Sequence, residues 1–294
     1  MVLISNDLDT LPANFLVSRL KRAKLVYDSH EYFTEVPELE GRKFVKQFWT
    51  LLERFLVPKV DVAYTVNESL AKMYSAKYGI EFGVIRNIPD NLVKEKKYSL
   101  PEEFENNGFI IYQGAINKDR GLEDVMELIG EEQQLRMVIA GDGDIMESLK
   151  TRAGEIGIRD RVLFTGSLKP ARLKSLTKKA RLGISLEKKT NLNYYYALPN
   201  KLFDYIHAGI PVLCSGFPEM RKIVEHYEVG MIVDPGKREE IKQVLKMMFF
   251  DVEKQQKWRE NAKLAAEELT WKTKQKKIAD IFKKAGLNLE QVSD

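Results

Sequence analysis

Cysteine is almost absent. The single one in 294 residues, Cys214, excludes a disulfide framework and a Cys-rich metal site. Its setting in the apolar run IPVLCS reads as a small core position. Histidine is scarce, with three residues. No apolar stretch approaches the ~20 residues that cross a bilayer. The first residues lack the basic-then-apolar pattern of a signal peptide, so a cytoplasmic location is the expectation. There is no GxSxG elbow, no P-loop, no HExxH and no complete GxGxxG after a strand. Hydrolase, kinase and simple dehydrogenase readings therefore lack their signatures. An excess of one charge is missing too: 47 Lys and Arg face 43 Asp and Glu, a net charge of +4. That balance does not point to nucleic acid. Basic residues are interleaved with acidic ones, as on solvated helices, except in the tail WKTKQKK. Peripheral contact with the inner membrane face through basic helix faces is compatible with this pattern.

What the sequence does contain is a long alternation of short apolar runs and amphipathic stretches. MVLIS, KLVYD, VDVAYTV and FGVIRN read as strands. Between them lie a turn and helix in NDLDTLPANFLVSRLKRA, an amphipathic helix in RKFVKQFWTLLERFLVP, and a helix in NESLAKMYSAKYG. Asn67 is placed to cap the last of these and Gly79 to stop it. IPDN reads as a turn. The charged, aperiodic stretch KEKKYSLPEEFENNG then reads as a linker. A second alternation follows, with strands FIIYQGA, LRMVIAG, RVLFTG, LGISL, IPVLCS and VGMIVD separated by helices. Two closing helices break at LTW. Alternation with short loops predicts an α/β fold with doubly wound, mostly parallel sheets. The expected organisation is a partial first domain over 1–90, a linker over 91–107, and a second domain over 108–270. The helical segment 271–294 is expected to pack back on the first domain.

Ligands of such sheets bind at the carboxyl ends of strands, which directs attention to the loops there. In LPNKLFDYIHAGIPVLCS, Pro199 suits the first turn of a helix. Leu202, Phe203, Ile206 and Ala208 cluster on one side, leaving Asp204 to project elsewhere. Two readings stand: an ordinary helix of an α/β domain, or a helix whose start takes an anion and whose Asp204 holds sugar hydroxyls. YQGAINKDRG places Gly114 after a strand, with Lys118 and Arg120 before a helix; it is either a solvated loop or a phosphate contact. AGDGD carries Asp142 and Asp144 with the spacing of a metal-binding DxD, but Gly and Asp are also what a tight turn wants. The turn is preferred and no metal is assigned. His30 ends the KLVYD strand beside Asp28 and Glu31, whereas His207 and His226 read as structural.

Taken in order, NDLDTLP, VYDSHEYF, LLERFLVPKVDVAYTVNESLAKMY, VIRNIPD, YQGAINKDRGLEDV, MVIAGDGD, VLFTG and LPNKLFDYIHAGIPVL resemble the retaining glycosyltransferases of family 4 (glycosyl transferases group 1), which have the GT-B fold. The resemblance covers nearly the whole chain. It implies a nucleotide-sugar donor, a UDP- or GDP-sugar, on the second domain and a glycan or lipid-linked acceptor on the first, with no other cofactor. Gly114 matches the glycine after that domain's first strand, and Arg120 the basic residue that meets the diphosphate, with Lys118 beside it. Asn200 and Lys201 fall in the turn whose amides approach the diphosphate. Gly141 falls on the same donor side, and Gly166 and Ser167 in the loop near the base. Asp204 stands where the family has the second Glu of its Glu-x7-Glu motif, and His30 where it has a histidine near the donor sugar. On this reading His30, Arg120 and Asp204 are the catalytic set.

Three departures from the pattern stand out. Tyr196 occupies the position of the first Glu. Ala115 replaces the basic residue usual after the glycine. MVLISNDLDTLP corresponds to the middle of the family's first domain, so MVLIS is expected at a sheet edge that a partner chain would complete. Three functions are therefore compatible: a glycosyltransferase of glycan or polysaccharide biosynthesis, a truncated or split nucleotide-sugar-binding module needing a partner chain, and, ranked last, a nucleotide-sugar 2-epimerase.

Overall fold

The computed structural model describes residues 1–89, 93–284 and 286–287. The expected turn at IPDN runs partly, and the final segment beyond Leu287 wholly, outside the described residues. The chain divides into two compact units. The first holds Met1–Ile88, Thr190–Leu198 and the segment from Trp271 onward; the second holds Pro89–Lys189 and Pro199–Thr270.

The first unit is built on four parallel strands, β1 (Val2–Asn6), β2 (Lys24–Ser29), β3 (Val62–Thr65) and β4 (Phe82–Val84), in that spatial order. Helices α1 (Asp7–Lys21), α2 (Lys43–Leu56) and α3 (Glu68–Tyr78) alternate with them. Helix α1 begins directly at Asp7 and carries Pro12 inside it, without the turn expected ahead of the helix. Asn67 caps α3 by accepting a bond from the Leu70 amide, and Gly79 ends it at φ 68°. Leu25, Val26 and Tyr27 are consecutive and all buried, as expected of a parallel strand covered on both faces. One face packs Leu8, Leu11, Leu56 and Tyr74 against Tyr27. On the other, Val26, Val62, Tyr64 and Ile85 meet Phe282.

In the second unit, the segment read as a linker contains a short helix, α4 (Glu102–Asn107), because Phe104 is buried and packs edge-on against Phe109. Strands β5 (Ile110–Gln113), β6 (Met137–Ala140), β7 (Val162–Gly166) and β8 (Leu182–Ser185) are separated by α5 (Leu122–Glu131), α6 (Met146–Glu155) and α7 (Pro170–Lys179). After β8 the chain passes through the short α8 (Leu192–Tyr195), which belongs to the first unit. It returns with α9 (Asn200–Ala208), β9 (Val212–Ser215), α10 (Pro218–Tyr227), β10 (Gly230–Val233), α11 (Arg238–Phe250) and α12 (Val252–Glu268). Helix α13 (Trp271–Lys284), which carries Phe282, lies in the first unit.

The six strands are parallel, in the order β10-β9-β8-β5-β6-β7. The chain thus winds outward from β5 in one direction and from β8 in the other. The carboxyl ends of these two neighbours are the topological switch point, where a crevice forms in open α/β sheets.

Candidate functional site

The switch point is floored by backbone. Gly114, after β5, donates its N–H to Ala140 O at 3.0 Å, and Gly141, after β6, donates to Gly166 O at 3.0 Å. Gly114 and Gly141 have φ of 123° and 151°, a region that side chains rarely adopt. A Cβ at Gly141 would also run into the Gly114 carbonyl oxygen. Three strand ends therefore meet with no side chain between them. The AGDGD loop is a locked turn: Asp142 accepts from the Gly143 amide at 2.8 Å, and its carbonyl accepts from Ile116 N at 2.9 Å. Asp144 is exposed.

Beside this floor lies a buried ion cluster that sequence reasoning did not find. Glu187, just past β8, is fully buried. Lys201 Nζ stands 2.9 Å from its Oε1 and Arg120 Nη1 3.3 Å from the same oxygen. Ser185 Oγ donates to the carboxylate, 2.9 Å from Oε2 and 3.2 Å from Oε1. Burial raises the pKa of such a group, but here Lys201 and Arg120 outweigh it and hold the carboxyl at about 2. Lys201 is itself buried, with Nζ 4.1 Å above the Tyr112 ring, and its Cε lies 3.8 Å from where a Cβ of Gly114 would be. Asn200, Lys118 and Ser167 are exposed.

One turn along α9 from Lys201, Asp204 lines a cavity of about 350 Å³ in the second unit, together with Gln113, Thr177, Lys174, His207 and apolar residues such as Leu168 and Leu173. Burial pushes the Asp204 carboxyl up to about 6, against a hydrogen bond from Gln113 that lowers it. That bond runs from Gln113 Nε2 at 2.7 Å. The helix turns Leu202, Phe203, Tyr205 and Ile206 into the core, which leaves Asp204 on the cavity side. His207 Nε2 lies 2.7 Å from Leu269 O, and burial lowers its pKa. The sequence signal for Gln113 and Glu187 was positional only: each sits at the end of one of the two switch-point strands.

In the first unit His30 is held by two carboxylates. Its backbone N–H donates to Asp7 Oδ1 at 2.8 Å, and its Nε2 is 3.1 Å from Asp28 Oδ2. The hydrogen bond to Asp28 raises the His30 pKa above its ordinary value, against burial that lowers it. Asp7 adopts φ 59°, a left-handed conformation uncommon for a non-glycine residue and often found at functional sites. The tyrosine-rich loop Thr190–Leu198, with Tyr194, Tyr195 and Tyr196, folds into the same unit. Asn193 Oδ1 accepts from Tyr32 N at 3.0 Å, and Asn67 Nδ2 donates to Tyr196 O at 2.8 Å.

Known proteins share this architecture. HepE of Anabaena, solved in complex with UDP-glucose, superposes with a TM-score of 0.76 at 18% identity, over 96% of this chain and 78% of that one. Sucrose-phosphate synthase of Thermosynechococcus elongatus gives 0.77 at 13% identity, over 96% and 73%. These likenesses establish a GT-B fold with two parallel sheets. In sequence, the alpha-D-kanosaminyltransferase of Streptomyces kanamyceticus is 23% identical over 188 residues, 62% of this chain and 47% of that protein. The 2-deoxystreptamine glucosyltransferase of the same organism is 22% identical over 217 residues, 69% and 54% respectively. The chain spans about half the length of these two curated relatives. Residues 94–265, more than half of the chain, match the family described as glycosyl transferases group 1, and the chain belongs to that family.

Proposed function

We propose that the second unit binds a nucleotide-sugar donor and that the chain is a glycosyltransferase passing the sugar to a glycan or lipid-linked acceptor. The observation that carries this is the arrangement at the switch point. A carboxylate, Asp204, lines a cavity, one helical turn from the Lys201–Glu187–Arg120 cluster and beside a rim of bare backbone at Gly114, Gly141 and Gly166. Asp204 is suited to ribose hydroxyls. Arg120, with Lys118 and the amides near Asn200, is suited to offset charge developing on the leaving diphosphate, which is electrostatic stabilisation by groups fixed in advance. Ser167 is assigned to the base side. His30, oriented by Asp28, is assigned to the donor sugar. Retention of configuration, metal independence and a place in polysaccharide biosynthesis follow from the resemblance to family 4.

The test is a thermal-shift and calorimetric screen with UDP-, GDP- and ADP-sugars, since a ligand that binds only the folded state raises stability. At least one should stabilise the wild type, and Asp204→Ala and Arg120→Ala should weaken its binding. Unchanged binding in both variants would sink the assignment.

A second reading is favoured by the first sheet. Strand β1 lies at its edge with Ile4 exposed, and α1 presents Leu16 and Leu20, the latter 85% exposed. Uncovered edges and apolar faces invite a partner. On this reading the chain binds nucleotide sugar but needs another chain for turnover. Robust transfer by the purified chain across a panel of donors and acceptors rules it out.

Peripheral membrane contact belongs to the same proposal and rests on α2. Phe44, Phe48, Leu51 and Phe55 recur at helical spacing and are all exposed, Phe44 by 88%. Lys43 and Arg54 flank them, while the one acidic residue of the helix, Glu53, is buried. An apolar stripe on a helix whose exposed charged residues are all cations suits an anionic lipid surface.

A further inference from the structure

The polar wall of the cavity in the second unit is a chain of three side chains. Gln113 Nε2 donates to Asp204 Oδ2 at 2.7 Å, and Thr177 Oγ1 donates to Gln113 Oε1 at 2.7 Å. Gln113, at the end of β5, and Thr177, on α7, are almost wholly buried. Neither therefore has solvent as an alternative partner, and a buried amide left unpaired is costly. The Thr177 hydroxyl has a second acceptor in reach, Leu173 O at 2.8 Å. It carries one proton and can serve only one of them at a time.

Two arrangements keep this chain unbroken from Asp204 to Thr177. In one, Asp204 is ionised, Gln113 donates to it, and Thr177 donates to Gln113. In the other, the Gln113 amide is reversed. Protonated Asp204 then donates to Gln113 Oε1, Gln113 donates to Thr177 Oγ1, and Thr177 donates to Leu173 O.

We propose that Gln113 and Thr177 are positioning residues for Asp204. They hold its carboxylate ionised with Oδ2 occupied, leaving Oδ1 for a ribose hydroxyl of the nucleotide, and the amide reverses when Asp204 takes a proton. The proposal rests on the reading of this cavity as a nucleotide site. The Asp204 carboxylate, one methylene shorter than the glutamate that the resemblance implies here, is met by the Gln113 amide at the end of β5. The direction of the Asp204 pKa agrees, with burial raising it and Gln113 opposing the rise. Among the described residues, the other charged or titratable groups lining the cavity are Lys174 from α7 and His207 from α9.

The experiment measures binding of UDP, GDP and ADP between pH 5 and 8 to the wild type and to Asp204→Asn, Gln113→Leu, Thr177→Val and Thr177→Ser. For the tightest nucleotide, Gln113→Leu should weaken binding at pH 7.5 by about tenfold, the scale of a lost hydrogen bond to a charge. It should also move the pH midpoint of binding upward. Thr177→Val should do the same to a smaller degree, and Thr177→Ser, which keeps the hydroxyl, should restore the wild-type profile. In an Asp204→Asn background the Gln113 and Thr177 changes should add nothing. A merely structural role would lower stability without moving the midpoint. The relay is overturned if Gln113→Leu and Thr177→Val leave affinity and midpoint unchanged while Asp204→Asn weakens binding. If Asp204→Asn leaves all three nucleotides unaffected, the nucleotide-site reading falls, and the relay with it. Should Gln113→Leu fail to fold, the Thr177 pair decides the question.

Discussion

Glu187 is the residue whose removal should be felt most. It is a fully buried carboxylate between two cations, one of them itself buried. Truncation to Ala leaves Lys201 without its counter-charge in the interior, which typically costs roughly 3–5 kcal/mol. Denaturant unfolding of Glu187→Ala should show a loss of that order, with a smaller one for Glu187→Gln. The Asp204 carboxyl behaves in the opposite sense. Its folded pKa is raised from 3.8 to about 6, so between these values the folded state holds more protons than the unfolded one. Relative to Asp204→Asn, the wild type should lose stability as pH rises through that window and stay level above it. Urea midpoints at a series of pH values check this, and a flat difference would contradict the burial of the ionised group. At this scale residue type and position singled out Arg120 before a helix and Asp204 within one, and the structure sets Arg120 against Glu187 and Asp204 in the cavity wall. The sequence was not legible for Glu187 and Gln113, because a charged or amide residue at a strand end is ordinarily solvated. Only the pairing of β5 with β8, and the helices packed beside them, encloses these two.

At the scale of elements, the glycines after β5 and β6 make the rim of the site possible. Gly141→Ala would force a side chain into φ 151° and into the Gly114 carbonyl. The expected cost is about 1–3 kcal/mol, with nucleotide binding weakened as the rim shifts; chemical denaturation and titration of the same variant read both. Helix α2 offers a prediction of its own. Phe44 is 88% exposed and Phe48 meets Trp49 edge-on, so Phe44→Ser with Phe48→Ser should lower the thermal midpoint only slightly. Sedimentation with vesicles rich in phosphatidylglycerol should fall, while phosphatidylcholine vesicles should bind neither protein. Equal binding of the variant and wild type to anionic vesicles would exclude the stripe as the contact. The 3.6-residue pattern of α2 was plain in the sequence, but which of its two apolar faces meets the core was not. The structure turns Leu56 and Glu53 inward and leaves three phenylalanines out. The segment Thr190–Leu198 follows β8 in sequence and so falls within the expected second domain. Its hydrogen bonds to Tyr32 and Asn67 place it in the first unit instead.

For the whole molecule, two units with separate cores should unfold in more than one step. If the second unit carries the nucleotide site, UDP or GDP should raise the midpoint of one calorimetric transition and leave the other in place. A uniform shift of a single transition would contradict that division. The alternation of apolar runs and amphipathic stretches determined, without any structure, that this is an α/β chain of parallel sheets, because strand and helix periods are local properties of side-chain spacing. The ordered motifs pointed to the family in the same way. Strand order was decided only in three dimensions, since nothing local says that β8 returns to lie against β5 rather than beyond β7. That one adjacency creates the switch point, brings Glu187 to Arg120 and Lys201, and sets Gln113 against Asp204.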